Sequence, residues 1–461
     1  MKKISVLLFL VTIFSVFPCF AGRAPASEAG SVTADKTCAS TAAEKDAASL
    51  KDVFTLDSKG IPELNNERKL IVCISDLHLG ADDTYTETKN NREPLVKFLD
   101  QIRLAPNIKE LVIIGDLVDL WFVPSEADTF RGKTQNEFVR LVAKNNKHVI
   151  AAFNKIIRDG KIKVTYVPGN HDLLVTAEDI QSILPGIDQQ RDVQGLGSYS
   201  PDGHPEIIME HGHRYNFFCA PDPISNRDIA PGSILPPGYF FTRLATTSVV
   251  EGFPEAAGKI PEVTVNSYGE DQILAYIYWK AWYGLMTDFP VNGGFDEKII
   301  KTNIDGFTEN YSISDLMPSQ ISAGGYINMK MYKGSLATWD ERQELNRVSV
   351  KIPIKEALIE AGSGAETDAQ AEVQYFKNPV SDKRIVVFGH THEPRIIPSE
   401  NLKGQKTIYA NSGTWIDHNP NFPTMTFVVI TPQGNSSVPL YLSLFYYSPD
   451  GTITKMDTQS L

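Results

Sequence analysis

Five short polar clusters carry the side chains of this sequence best suited to hold a metal: Asp76-Leu77-His78, Gly115-Asp116, Gly169-Asn170-His171-Asp172, His211-Gly212-His213 and Gly389-His390-Thr391-His392. Any one alone is weak, because Asp-x-His is a common surface turn and Gly-Asp a common loop dipeptide. Recurrence carries the argument, since each cluster closely follows a short apolar run. Residues two apart in an extended segment point to the same side, so Asp76 and His78, or His390 and His392, can approach one centre. Gly115, Gly169 and Gly389 are expected to permit the sharp turn off the preceding run. Carboxylate, amide oxygen and imidazole suit Mn, Fe, Zn or Co in a site that retains water. No cysteine joins the set, which argues against a closed structural zinc site.

The elements that must position these clusters are legible as apolar runs of strand length: Leu70 to Ile74, Leu111 to Ile114, Val164 to Val167, Ile207 to Met209 and Ile385 to Phe388. Helical spacing intervenes, in Leu95, Phe98, Leu99 and Ile102, and over one longer span from Phe138 through Val142 and Phe153 to Ile157. Strands alternating with helices imply βαβ units and a largely parallel sheet buried on both faces. In such sheets ligands bind beyond the carboxyl ends of the strands, where all five clusters would meet. Thr426 to Ile430 and Leu440 to Tyr447 read as strands that make the C-terminus β-rich, a candidate second sheet.

The chain has 461 residues, 42% hydrophobic and 22% charged, which is ordinary for a soluble globular protein with room for a full core. Met1-Lys2-Lys3, an apolar run from Ile4 to Phe17, and Pro18-Cys19-Phe20-Ala21 follow the order of a secretory signal, so residues 1–21 are expected to direct export to a periplasm or the medium. An uncleaved anchor at a membrane surface is the alternative, and lipidation at Cys19 fits poorly behind Phe17-Pro18. Cleavage removes Lys2 and Lys3 and takes the net charge from -12 to about -14, which disfavours nucleic acid as a partner. Cys38, Cys73 and Cys219 would remain, an odd and sparse set that is no disulfide framework. Residues 22–68 read as a flexible linker and lead-in.

The ordered clusters resemble the calcineurin-like metallophosphoesterase superfamily over residues 69–214 and 384–430. The resemblance implies an α/β (α+β) four-layer sandwich of two mixed β-sheets flanked by helices, split into residues 69–214 and 379–461 by an insertion or cap at 215–378. It implies that Asp76, His78 and His392 hold one divalent cation, that Asn170, His211 and His390 hold a second, and that Asp116 bridges both. Such a pair lowers the pKa of a bridging water toward about 7 and clamps an in-line displacement, giving hydrolysis of a phosphate mono- or diester or a phosphoanhydride in a small phosphorylated substrate. By the same resemblance, His171 stabilises the transition state or protonates the leaving oxygen, and Asp172 fixes its tautomer. Substrate contacts are unknown, with His213 and Arg214 as candidates; His213 either meets substrate or solvates the rim.

Asp119 stands three residues after Asp116, where purple acid phosphatases carry a tyrosine ligand, so ferric-tyrosinate chemistry is not expected. The strings Gly115-Asp116-Leu117-Val118-Asp119-Leu120-Trp121 and His390-Thr391-His392-Glu393-Pro394 are similar to UDP-diacylglucosamine hydrolases, which are pyrophosphatases of lipid assembly. Those hydrolases usually place arginine where this chain has His171, lack an export signal and are much shorter. From Asp271 to Thr287, apolar and aromatic residues fall on every side of a helix, which marks either core packing or a lid that contacts lipid or a membrane surface. Arg214, Arg227, Arg243 and Arg395 are each able to grip an anion. The alternatives to hydrolysis of a simple ester are a pyrophosphatase acting on a nucleotide-linked lipid or sugar, and a non-catalytic metal-binding surface protein on the same scaffold.

Overall fold

A computed structural model describes residues 47–48, 67–192, 194–255, 258–361, 364–433 and 439–461. The expected leader at 1–21, most of the lead-in and Cys38 lie outside them.

Strands β1 (Leu70–Ile74), β2 (Ile108–Ile114), β3 (Lys163–Val167) and β4 (Asp188–Gln189) pair in parallel and in that order. Between them run α1 (Arg92–Leu104), α2 (Gln135–Asn145) and α3 (Lys147–Asp159). Thr134 starts α2 with a capping box to Glu137, and Gly160 ends α3 in the left-handed conformation. The single long helical span expected from Phe138 to Ile157 is thus two helices. Asn146 breaks it, because its side-chain amide donates to both Val142 O and Gly80 O, a local capture that competes with helix continuation.

A second sheet holds β5 (Ile207–Met209), β6 (Ile385–Phe388), β7 (Arg395–Glu400) and β8 (Lys406–Asn411), ordered β7-β8-β6-β5. The chain ends in β9 (Thr426–Thr431), β10 (Tyr441–Tyr447) and β11 (Ile453–Ser460), which do not form that second sheet. They extend the first one instead, with β9 antiparallel to β1 at Val429 and Val72. β1 is completely buried with apolar groups on both faces, and only a paired neighbour satisfies its free backbone edge.

Alternation of side chains then separates two apolar layers. Ile71, Cys73, Val112, Ile114, Val428 and Ile430 meet Met209, Ile385, Val387 and Ile408 between the sheets. Leu70, Val72, Ile74, Leu111 and Ile113 face the other way onto Leu95, Phe98, Ile102 and Phe153 of the helices. The result is a mixed-sheet α/β sandwich flanked by helices.

Residues 215–378 supply α4 (Pro237–Val250) and α5 (Glu270–Asp288). Their Tyr239, Phe240, Leu244, Tyr278 and Trp282 belong to the same buried cluster as Trp121 and the sandwich helices, so the insertion's core is continuous with that layer. α5 buries Leu274, Tyr278, Trp279, Trp282 and Leu285, leaving Ile273 and Tyr283 exposed, so core packing accounts for most of its apolar surface. No helix among the described residues is long and apolar enough to cross a membrane.

Candidate metal centre

The loops that leave β1, β2 and β6 bring the clusters together. Asp76 N donates to Gly115 O at 3.1 Å, and Leu77 and His78 N both donate to Asp116 O at 2.9 Å, which locks the first two loops side by side. From the other sheet, His390 N donates to the Asp76 carboxylate at 3.1 and 3.2 Å. The backbone at Asp76, His78, Asp116, His390 and His392 is left-handed, with φ of +54°, +44°, +52°, +72° and +59°. Each such residue costs about 1–3 kcal/mol and persists only where its surroundings over-determine it, as functional loops do. The glycines are needed for more than turning. A Cβ on Gly169 would stand 2.1 Å from Asp116 Oδ1, and one on Gly389 2.5 Å from Asp76 Oδ2. At Gly115, φ is +83° and a Cβ would meet His211 Nδ1 at 2.3 Å, so it serves both ends.

Hydrogen bonds on the outer ring nitrogens decide where the inner ones point. His211 Nδ1 bonds Ile114 O at 2.8 Å, and His78 Nδ1 bonds Asp119 Oδ2 at 2.9 Å, which leaves the Nε2 lone pairs facing inward. His78 Nε2 stands 3.1 Å from His392 Nε2, and His392 Nε2 stands 3.1 Å from Asp76 Oδ1. His211 Nε2 lies 3.1 Å from Asn170 Oδ1 and 3.2 Å from Asp116 Oδ2. Acceptors crowded this closely repel unless a proton or a cation sits among them, and the imidazole, amide and carboxylate set fits a divalent cation. Two donor groups face inward, Asp76-His78-His392 and Asp76-Asp116-His211, and a third, His78-Glu87-Asp119-His171, gathers on the outer side of His78. Asp116 Oδ2 also comes within 3.5 Å of His78 Nε2, so this carboxylate faces both inward groups.

Residues 69–235 match the family described as calcineurin-like phosphoesterase. The chain carries a calcineurin-like phosphoesterase domain. It is a metal-dependent phosphoric ester hydrolase. No curated protein matches it. His392 reaches the phosphoesterase centre from beyond the matched segment, across the insertion.

His390 occupies a less direct place. Its ring lies 5.1 Å from that of His211, and Nε2 is buried with no hydrogen-bond partner among the described residues, but it is in none of the three converging donor groups. His171 sits at the edge, its ring 4.5 Å from His78 and 4.9 Å from Trp121.

Asp172 does not orient His171. Its carboxylate accepts Gly169 N at 2.6 Å and Leu117 N at 2.8 Å, which ties the Asn170 loop to the Asp116 loop. The partner of His171 Nδ1 is Asp119 Oδ1 at 2.9 Å. Asp119 thereby fixes the tautomers of His78 and His171 together, while its Oδ1 also accepts Trp121 and Phe122 N. Glu87 adds a second carboxylate, 3.2 Å from His78 Nδ1. Neither acid was singled out for this role from the sequence. The three-residue step from Asp116 was the available signal for Asp119, and nothing marks Glu87 in its polar loop. Asp119→Asn is expected to lower both cation affinity and kcat by about 10–100-fold, measured by cation titration and steady-state assay.

Arg214 is not free to bind substrate either. It is buried, with Nε on Glu210 Oε2 at 2.7 Å and its other nitrogens on Asn346 O and Gly197 O. Arg395 pairs with Asp368 and Glu393, and Arg243 is enclosed among backbone carbonyls. Arg227 is exposed, donating to Pro223 O.

Burial alone would raise the carboxyls of Asp76, Asp116 and Asp119, but the imidazoles facing them hold all three below the usual range. Burial also disfavours charge on His211, yet Asp116 and Asp76 bring it up to about 9, and acids likewise raise His78 and His171. His390 goes the other way, pushed by burial and the His211 charge down to about 3. Cations and protons compete for these nitrogens, so the ionised acids that favour a proton on His211 and His78 would equally favour a cation there.

Proposed function

We propose that the chain is an exported phosphoesterase that holds two divalent cations, drawn from Mn, Fe, Zn or Co, and hydrolyses a phosphate mono- or diester or a phosphoanhydride in a small substrate. The observation that carries this reading is the pair of donor groups facing one carboxylate, Asp116. Asp76, His78 and His392 would hold one cation, with Asn170, His211 and His390 around the other. When bound, such cations polarise phosphoryl oxygens and lower the pKa of water.

The chain's own residues do the rest. With Nδ1 bonded to Asp119, His171 keeps Nε2 available to carry a proton to the leaving oxygen. Its side chain is 11% exposed, whereas those of Asp76, His78, Asp116 and His211 are at most 2% exposed, so the proton carrier is the more solvent-accessible. Burial of the remaining donors limits bulk water and strengthens every charge interaction inside. Export is supported by the composition of residues 1–21, whose basic start, apolar run and small Ala21 follow secretory order.

The test is an assay of protein reconstituted with each cation against an aryl phosphate monoester, an aryl diester, nucleotides and a nucleotide-sugar. Hydrolysis of at least one class is expected, abolished by a chelator and restored by cation. Two bound equivalents with no hydrolysis of any compound would favour a non-catalytic metal-binding protein.

A further inference from the structure

His213 is the polar side chain beside the centre that the fold leaves unexplained. It is 2% exposed, so it does not solvate a rim, and neither ring nitrogen has a hydrogen-bond partner among the described residues. Most buried polar groups in folded proteins are paired, and a bare one requires an explanation, which is sharpest where it stands beside a candidate centre. Its surroundings identify that place. The His213 ring lies 5.3 Å from His211 and 6.4 Å from His390, the two histidines placed around one cation. It belongs to none of the converging donor groups, and its own loop already turns His211 toward the cation.

Nor is the residue there by slack. Gly212 turns the chain at φ +102°, and His213–Tyr215 form a single 3₁₀ turn. Arg214 is pinned by Glu210, Asn346 and Gly197, and the Tyr215 hydroxyl donates to Glu210 Oε1 at 2.6 Å. The backbone on both sides is therefore fixed while the imidazole between is left without a bond of its own. Preorganisation of this kind is what a transient, charged ligand requires.

We propose that His213 is a substrate-contacting residue that hydrogen-bonds a non-bridging oxygen of the phosphoryl group bound beside His211. The proposal rests on the phosphoesterase function above. An imidazole N–H is a donor matched to an anionic oxygen. Arg214, the nearest cation in sequence, is turned toward protein, with Nε, Nη1 and Nη2 bonded in turn to Glu210, Asn346 and Gly197, which leaves His213 to make this contact.

The experiment compares full-length wild type, His213→Met and His213→Gln. Inorganic phosphate is the probe, titrated calorimetrically into the Mn-loaded proteins. His213→Met should weaken phosphate binding by about tenfold or more, and His213→Gln, which keeps an N–H donor, by less. KM for a substrate the wild type cleaves should rise in parallel. Cation content should stay constant, and the thermal midpoint of metal-free His213→Met should match or exceed wild type, because an unpaired polar group has been replaced by an apolar one. Phosphate affinity within about twofold of wild type would overturn the assignment. So would loss of a cation equivalent, which makes the residue a ligand, or a lowered metal-free midpoint, which makes it structural. If wild type binds phosphate but cleaves nothing in the panel, the proposed enzymatic function fails, while the calorimetric comparison still decides the role of His213.

Discussion

Asp116→Asn is expected to leave a folded protein whose turnover has fallen by more than the roughly 100-fold that loss of an outer hydrogen-bond partner of a ligand costs. The reason is placement. Asp116 Oδ2 stands 3.2 Å from His211 Nε2 and 3.5 Å from His78 Nε2, so one negative charge serves both donor groups. Asparagine keeps the shape, and its amide oxygen can still accept His171 N, which donates to Asp116 Oδ1 at 2.8 Å. What it removes is the charge, and with it the tight hold on at least one cation. Cation content per chain, kcat and a circular dichroism spectrum together make the measurement. His171→Gln is the companion, with kcat falling about 10²–10⁴-fold while both cation equivalents remain. Unchanged activity in either purified variant would contradict the assignment of the centre.

Arg243→Met should produce the largest loss of stability. The guanidinium is fully buried on α4 and donates to Val123, Pro124, Ser125, Ala127 and Lys301 carbonyls, and to the Thr129 and Tyr239 hydroxyls. It therefore ties residues 123–129, which follow the Asp119 turn, to the insertion. Each buried carbonyl left without a donor costs about 1–3 kcal/mol, and water entering the space offsets part of that, so a net loss of about 3–5 kcal/mol is expected. The midpoint of denaturant unfolding reads it out. Arg227→Met is the control, since that exposed side chain makes a single long bond to Pro223 O and its loss should stay within about 0.5 kcal/mol. A loss below about 1 kcal/mol in Arg243→Met would show that the clamp is not what holds the loop.

The strands that carry the centre were legible because burial on both faces leaves an uninterrupted apolar run, as in Leu70 to Ile74 and Ile385 to Phe388. Where those strands go was not. The destination of β9 depends on which edge of β1 needs a partner, a property of the assembled sheet and not of the segment. Asn146 shows the same limit in a helix, since its capture of Gly80 O is a contact 66 residues away in sequence.

In the centre, Asp76 and His78 do reach one place, but not by the alternation of an extended chain. Both residues are left-handed, and so are His390 and His392, so direction is set by the interlocked loops. For that reason the partner of His171 could not be chosen from neighbourhood along the chain. Asp172 is adjacent and points into the backbone, while Asp119 is 52 residues away and holds the ring.

The contact between His78 and His392 spans 314 positions, and β1 waits for β9 to close its open side. Ribosomal synthesis therefore delivers an N-terminal portion that can assemble the four parallel strands but lacks the last donors and the partner for the β1 edge. Such distant pairings are slow to form and leave a sticky intermediate exposed. The complete donor set thus exists only once the chain has been made through His392 and folded back onto its start.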